Sequence, residues 1–151
     1  MQKRKSRPVT IDISVHLLLA AAISLAIYGT YKNIPYIVFF IAGAIFIDLD
    51  HFIDYFLYYG LRFNLKDFFT RGFLFSGKIY IILHSWELCI IAAVLGAMLE
   101  SVHLLFFSLG MFVHLIVDYF NSRSILFHFL TYRIAKGFRI DELLNAWKKI
   151  I

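Results

Sequence analysis

Four runs of almost unbroken apolar residues, about Ile13–Tyr31, Ile34–Tyr59, Ile79–Leu99 and Val102–Phe120, leave this 151-residue chain little choice of fold. Each is near or above the ~20 residues that a helix needs to cross about 30 Å of hydrocarbon. The expectation is an all-α integral membrane bundle of four transmembrane helices, forming one membrane domain over residues 1–151. Composition agrees: 61% of the residues are hydrophobic, against roughly 45–50% in soluble domains. Two prolines, a single cysteine and no Ser/Gly-rich tract exclude a disulfide framework and a disordered linker. Cys89, inside the third run, reads as a small core or lipid-facing residue.

Orientation follows from the basic residues. They gather in "MQKRKSRP", in the loop "LRFNLKDFFTRGFLFSGK" and from Arg123 to Lys149, whereas "YKN" and "ES" hold one between them. The positive-inside rule then places both termini and the central loop in the cytoplasm of a multi-pass inner or plasma membrane protein. The net charge of +5 is read as this topology signal, and no nucleic-acid partner is expected. A cleavable signal peptide is the rival reading of the first run, but Asp12 and His16 interrupt it and no small-x-small cleavage site follows. Asp12 suits a helix N-cap. The tail "SILFHFLTYRIAKGFRIDELLNAWKKII" mixes apolar and charged residues at roughly helical spacing. It is expected to lie in the interface plane as an amphipathic helix over about residues 125–149, anchored by Trp147 and Lys148. Membrane lipid is the expected environment, and oligomerisation stays open.

Into these apolar runs the sequence sets a group of ionisable residues. With the orientation above, His16 and His84 lie ~7–8 Å inside the cytoplasmic ends of the first and third helices, and Asp48, Asp50, His51 and Asp54 lie ~8–17 Å inside that of the second. His114 and Asp118 fall in the last turns of the fourth. Four helices thus bring polar groups to one layer. Their angular positions agree, since the second helix keeps its polar residues within half its circumference, His84 and Glu87 are i,i+3, and His114 and Asp118 are i,i+4. A lone Asp at a helix centre costs about 2.5–3.5 kcal/mol even on a lenient insertion scale. No Lys or Arg lies in the runs to neutralise Asp48, Asp50, Asp54, Glu87 and Asp118. A divalent cation can do so, and His with Asp/Glu is a ligand set for zinc, or for manganese or iron. More candidates than one zinc can use suggest two ions, or one ion with a supporting layer of carboxylates. The bland alternative is a purely structural polar network, and His103 and His128, off the constellation, read as packing residues.

The order "SVH", "DLDH" after "GAIFI", "HS" and "HLIVD" resembles the small prokaryotic membrane-bound metal-dependent hydrolases, the YdjM-like group once described as LexA-regulated inner-membrane proteins. That family shows a helix-1 His, a G-x-x-x-P-D-x-D-H element, an H-R-G-x-T-H-S element and a distal H-x-x-x-D. The resemblance runs from His16 to Asp118, and its most specific piece is Asp48-Leu49-Asp50-His51 with His84-Ser85. Ile47 stands where the family has proline, and Ile79 and Tyr80 where it has His-Arg. A more distant likeness, to the all-helical zinc-dependent phospholipase C and nuclease group, would imply phosphoester hydrolysis at a multinuclear zinc site.

The resulting expectation is a metal-dependent hydrolase that cleaves a phosphoester or ester bond of a lipid at the cytoplasmic leaflet. His16, Asp48, Asp50, His51, His84, His114 and Asp118 would bind metal. Glu87 is the candidate general base, with Asp54 behind it. Arg123 and Ser85 are candidates for substrate binding, Arg123 because it sits at headgroup level, where it also serves topology. A metal or proton transporter would continue its polar positions to the far side, where "LLLAAAISLAIY" and "IPYIVFFIAG" are bare. A magnesium-dependent lipid phosphotransferase needs a longer Asp array with Arg and Gly. A non-catalytic metal-binding membrane scaffold differs from the enzyme only in turnover.

Overall fold

The computed structural model describes residues 9–70, 77–122 and 125–143. Among these the chain is helical with no strand; a single antiparallel bridge joins Lys78 to Arg139. The helices are α1 (Val9–Tyr31), α2 (Ile34–Phe46), α3 (Asp50–Tyr59), α4 (Leu65–Thr70), α5 (Trp86–Met98), α6 (Val102–Ser122) and α7 (Leu130–Ala135). A turn of 3-10 helix, Ile47–Leu49, joins α2 to α3, so the second apolar run stays helical but tightens at Asp48. Three stretches, Ile13–Tyr31, Ile34–Tyr59 and Val102–Phe120, are long and apolar enough to cross a membrane. That is the make-up of an integral membrane protein.

The third run differs from its expectation. Its helix, α5, covers 13 residues, which rise only about 20 Å. Ile79 to Ser85 is not helical. Ser85 stops the helix from extending backwards, because it is extended at φ −134° and its hydroxyl accepts the Leu88 N–H as an N-cap. Ile81 has a positive φ of 25°, a conformation that a β-branched residue enters only when its surroundings force it. The tail also differs. Over its described residues, 125–143, it holds a 3-10 turn at Leu126–His128, the six-residue α7, a reversal at Gly137 and Phe138, both with positive φ, and helix again from Ile140. Trp147, Lys148 and Arg123 lie outside the described residues.

The bundle is organised by α2 against α6. A Cβ on Gly43 would collide with the Phe107 carbonyl oxygen, and one on Gly110 with the Phe40 carbonyl and, at 2.7 Å, the Ala44 nitrogen. The two backbones therefore touch, as membrane helices do at small residues. Around this contact Phe40, Ile27 and Phe106 form one apolar cluster and Ile47, Cys89, Met111 and Leu115 another, the latter joining α5 to α6. A third cluster, Ile79, Ile81 and Leu143, packs the tail against the non-helical segment.

Gly110→Ala is predicted to destabilise the bundle by about 1–3 kcal/mol, the usual cost of overpacking, because only backbone can yield. Gly29→Ala, with nothing within 4 Å of the new Cβ, should leave stability unchanged or raise it. Thermal unfolding in detergent reads both; equal midpoints for the two variants would contradict the close contact.

Candidate metal centre

Six side chains from three helical stretches and the non-helical segment meet beside the α2–α6 contact. Asp118 of α6 places Oδ1 3.2 Å from Nε2 of His16 and Oδ2 3.2 Å from Nε2 of His114 and 3.4 Å from Nε2 of His84. Asp48, in the 3-10 turn, places Oδ1 3.5 Å from Nε2 of both His84 and His114 and 3.7 Å from that of His51. Four imidazoles thus turn the same ring nitrogen toward two carboxylates. The tightened turn serves this, since it sets Asp48 and His51 side by side one turn below Ala44.

The spacing tests the fit to a cation. Ordinary N–H···O hydrogen bonds run about 2.7–3.2 Å, and four of these six separations are longer. A tetrahedron with metal–ligand bonds of about 2.0–2.1 Å has edges of about 3.3 Å, inside the observed range. Three overlapping groups have donor atoms within 4.8 Å of one another: His16, His114 and Asp118; Asp48, His84 and His114; Asp50, His51 and His84. These groups could hold a metal ion.

Two imidazoles are held from behind. Nδ1 of His114 lies 2.8 Å from the Ala44 carbonyl, so that nitrogen donates a proton and Nε2 is turned toward Asp48 and Asp118. Nδ1 of His84 lies 2.9 Å from Asp50 Oδ1, the same arrangement with a carboxylate. Such contacts fix the tautomer and ring orientation of a metal-binding histidine. Asp50 is therefore on the far side of His84 from Asp48, and its Oδ2 also accepts the backbone N–H groups of Leu83, at 2.7 Å, and His84, at 3.2 Å.

Asp54, one turn along α3, does likewise for the N–H groups of Tyr80, at 2.9 Å, and Ile81, at 3.3 Å. The carbonyls of the same segment go to Arg133 of α7. Its fully buried guanidinium donates to the Tyr80 carbonyl at 3.2 Å, to the His84 carbonyl at 3.0 Å and to that of Ile81. Burial lowers the Arg133 pKa to about 10, which leaves it cationic at neutral pH. Two carboxylates and one guanidinium replace the hydrogen bonds that a helix would have supplied to this segment. That substitution is how irregular backbone can lie level with a membrane helix.

The other acid and hydroxyl singled out from sequence face elsewhere. Glu87 accepts the N–H groups of Leu130 and Thr131, each at 2.9 Å, and the Thr131 hydroxyl at 2.8 Å, so it caps α7. Ser85 is fully buried as the N-cap of α5. His103 is remote from the cluster, against the rings of Tyr36 and Phe39. His128, by contrast, is buried and lines the same cavity as the cluster; burial holds its pKa down at about 4 and keeps it neutral. Sequence reasoning missed Arg133 and the Ala44 carbonyl. Arg133 has a signal in retrospect, an arginine inside the apolar stretch "TYRIA", whereas a backbone carbonyl has none.

The cavity measures about 500 Å³, within the range of small-molecule sites. Its polar end is the cluster, and its walls are apolar, with Ile13, Leu17, Ile45, Ile79, Val113 and Phe127 among them. The Asp48 side chain is 54% exposed, against 18% for Asp118 and 3% for His84, so it is the carboxylate of the cluster that opens to this space. Comparison with protein-family models, with curated proteins and with solved structures finds no match to the chain.

Asp50→Asn keeps the shape but removes the charge behind His84, and is predicted to weaken metal binding by about 10–100-fold. Competition with a chelating dye measures this, with His103→Ala as a variant that should bind like wild type. Unaltered affinity in Asp50→Asn would mean that the Nδ1 contact orients no ligand. Arg133→Met should cost about 3 kcal/mol in thermal unfolding, because three buried carbonyls lose their donor; a midpoint equal to wild type would refute the clamp.

Proposed function

We propose that the protein is a membrane-embedded metal-dependent hydrolase acting on a phosphoester or ester bond of a lipid at the cytoplasmic leaflet. The reading includes its kinship with the small prokaryotic membrane-bound metal-dependent hydrolases and its place in the inner membrane with both termini cytoplasmic. The observation that carries it is the set of four Nε2 atoms and two carboxylates converging at ligand-edge distances on one end of a cavity. A structural polar network would favour the roughly 2.7–3.2 Å of good hydrogen bonds, and only two of the six separations reach it.

Zinc suits the donor set best, with manganese or iron able to use it, as one ion or two. His16, His114 and Asp118 would form one side of the ligand set, and His84, His51 and Asp48 the other. Bound there, a divalent ion would bring the pKa of a water toward 7 and polarise a phosphoryl or acyl oxygen. Asp50 holds His84 in position rather than supplying a ligand atom. Asp48, its side chain half-exposed, is the ligand of the set most open to water. Glu87 and Asp54, engaged with backbone N–H groups, have their lone pairs directed away from the cavity and serve the scaffold. Arg133 excludes itself from substrate contact by donating to backbone carbonyls.

The test is a hydrolysis screen of lipid esters and phosphoesters with metal-loaded and chelator-stripped protein, alongside elemental analysis. Expected are stoichiometric metal and turnover in wild type and His103→Ala, and loss of both in His114→Ala, with turnover down by at least about 100-fold. Turnover that survives stripping, or a wild-type protein that binds no metal, would remove the reading.

A further inference from the structure

The cavity next to the cluster has an unusual outline for a site that works on water-soluble molecules. Ile13 and Ala20 stand three residues before and four residues after His16, which puts them on the face of α1 that carries this ligand, and Leu17 borders it. All three line the cavity, and so does Ile45 of α2, one turn before Asp48. These wall residues are not closed off from the outside. Leu17 is 57% exposed, Ile45 49% and Ile13 37%, so they form the rim of an opening as well as the wall of a cavity. Both helices of that rim belong to stretches apolar and long enough to cross a membrane. The opening therefore gives onto the lipid-facing side of the molecule.

In the same space the half-exposed carboxylate of Asp48 faces the imidazoles of His51, His84 and His114. Polar and apolar groups thus share one cavity, with the half-exposed Asp48 beside the exposed Leu17 and Ile45. A ligand that meets both must have an apolar chain attached close to a polar group.

We propose that the cleft between the His16 end of α1 and the Ile45 end of α2 admits the apolar chain of an amphiphile sideways from the bilayer, delivering the polar group borne by that chain to Asp48. The inference rests on the metal-centre reading and adds to it the route of access and the part of the substrate that is recognised. Binding energy comes from the chain lying against Ile13, Leu17, Ala20 and Ile45, so the polar group alone binds weakly. A lipid with its chain far from the reacting bond fits less well than one with the two adjacent.

Cobalt(II)-substituted protein provides a readout that needs no turnover, because its visible spectrum responds to ligands near the ion. The probes are methylphosphonate and dodecylphosphonate, which share the polar group and differ in the chain. Dodecylphosphonate is expected to perturb the spectrum at a concentration at least about tenfold lower than methylphosphonate. Ala20→Phe and Ile45→Trp, which fill the cleft without touching a ligand, should raise the dodecylphosphonate requirement by about tenfold or more and leave that of methylphosphonate unmoved. Because micelle partition is the same for every variant, this difference isolates the cleft. An unchanged cobalt spectrum in the two variants shows that they have folded. Equal responses to both probes, or two filled-cleft variants that bind dodecylphosphonate like wild type, overturn the proposal and leave the metal centre standing. A wild-type protein that takes up no cobalt removes the metal centre, and the proposal with it.

Discussion

The contact between Gly43 and Gly110 sets the rest of the molecule. Apolar side chains do not drive membrane helices together, because lipid tails are as apolar as leucine; close backbone approach does. Here each glycine faces the other helix's backbone, and no larger residue fits without separating α2 from α6. Ala44 follows Gly43 and His114 lies one turn after Gly110, so the same approach carries the His114 ring to the Ala44 carbonyl. With that ring fixed, Asp118 lies one turn further along α6 and Asp48 one turn further along α2, on either side of one space. Every other donor of the cluster reaches this pair: His16 through Asp118, His51 through Asp48 and His84 through both.

His84 is the donor that comes from outside the regular helices, and its support is correspondingly elaborate. The segment before it turns two pairs of N–H groups to Asp50 and Asp54 and three carbonyls to Arg133. A helix would have satisfied the same groups within itself, but would have carried His84 on a fixed spiral. Freed from that spiral, the segment presents Nε2 to Asp48 and Asp118 while its own backbone remains paired. Ile81, with its positive φ, marks where the chain departs furthest from relaxed geometry. Both its N–H and its carbonyl are held from neighbouring elements, by Asp54 and Arg133. Strain of this kind, on the order of 1–3 kcal/mol, survives only where neighbours over-determine the conformation.

The sequence made the apolar helices and the cluster legible for the same reason: both are periodic. Length and hydropathy give Ile13–Tyr31, Ile34–Tyr59 and Val102–Phe120, and helical spacing places His16, Asp48, His51, His114 and Asp118 on facing stripes. The Ile79–Leu99 run was read as a span because hydropathy cannot distinguish a helix from irregular backbone buried in protein. What decides between them lies far away in the chain, in Asp50, Asp54 and Arg133. The parts played by Asp50 and Glu87 were illegible for a related reason. A carboxylate beside a histidine pair looks alike in sequence whether it faces a cation, an imidazole Nδ1 or the amides of α7. The spacing of the tail reads as one interfacial helix; over residues 125–143 the chain reverses at Gly137 and packs Leu143 against Ile79 and Ile81, a contact that spacing cannot reveal.

Charge accounting then bears on what the cluster would hold. Asp50 and Asp54 are offset by backbone N–H groups with the Arg133 guanidinium behind them, and Glu87 by the amides of α7. Asp48 and Asp118 instead face the imidazoles of His16, His51, His84 and His114. Two carboxylates together match the charge of one divalent cation. The further carboxylate at the cluster is Asp50, grouped with His51 and His84, and it is already engaged with the His84 ring and two backbone N–H groups.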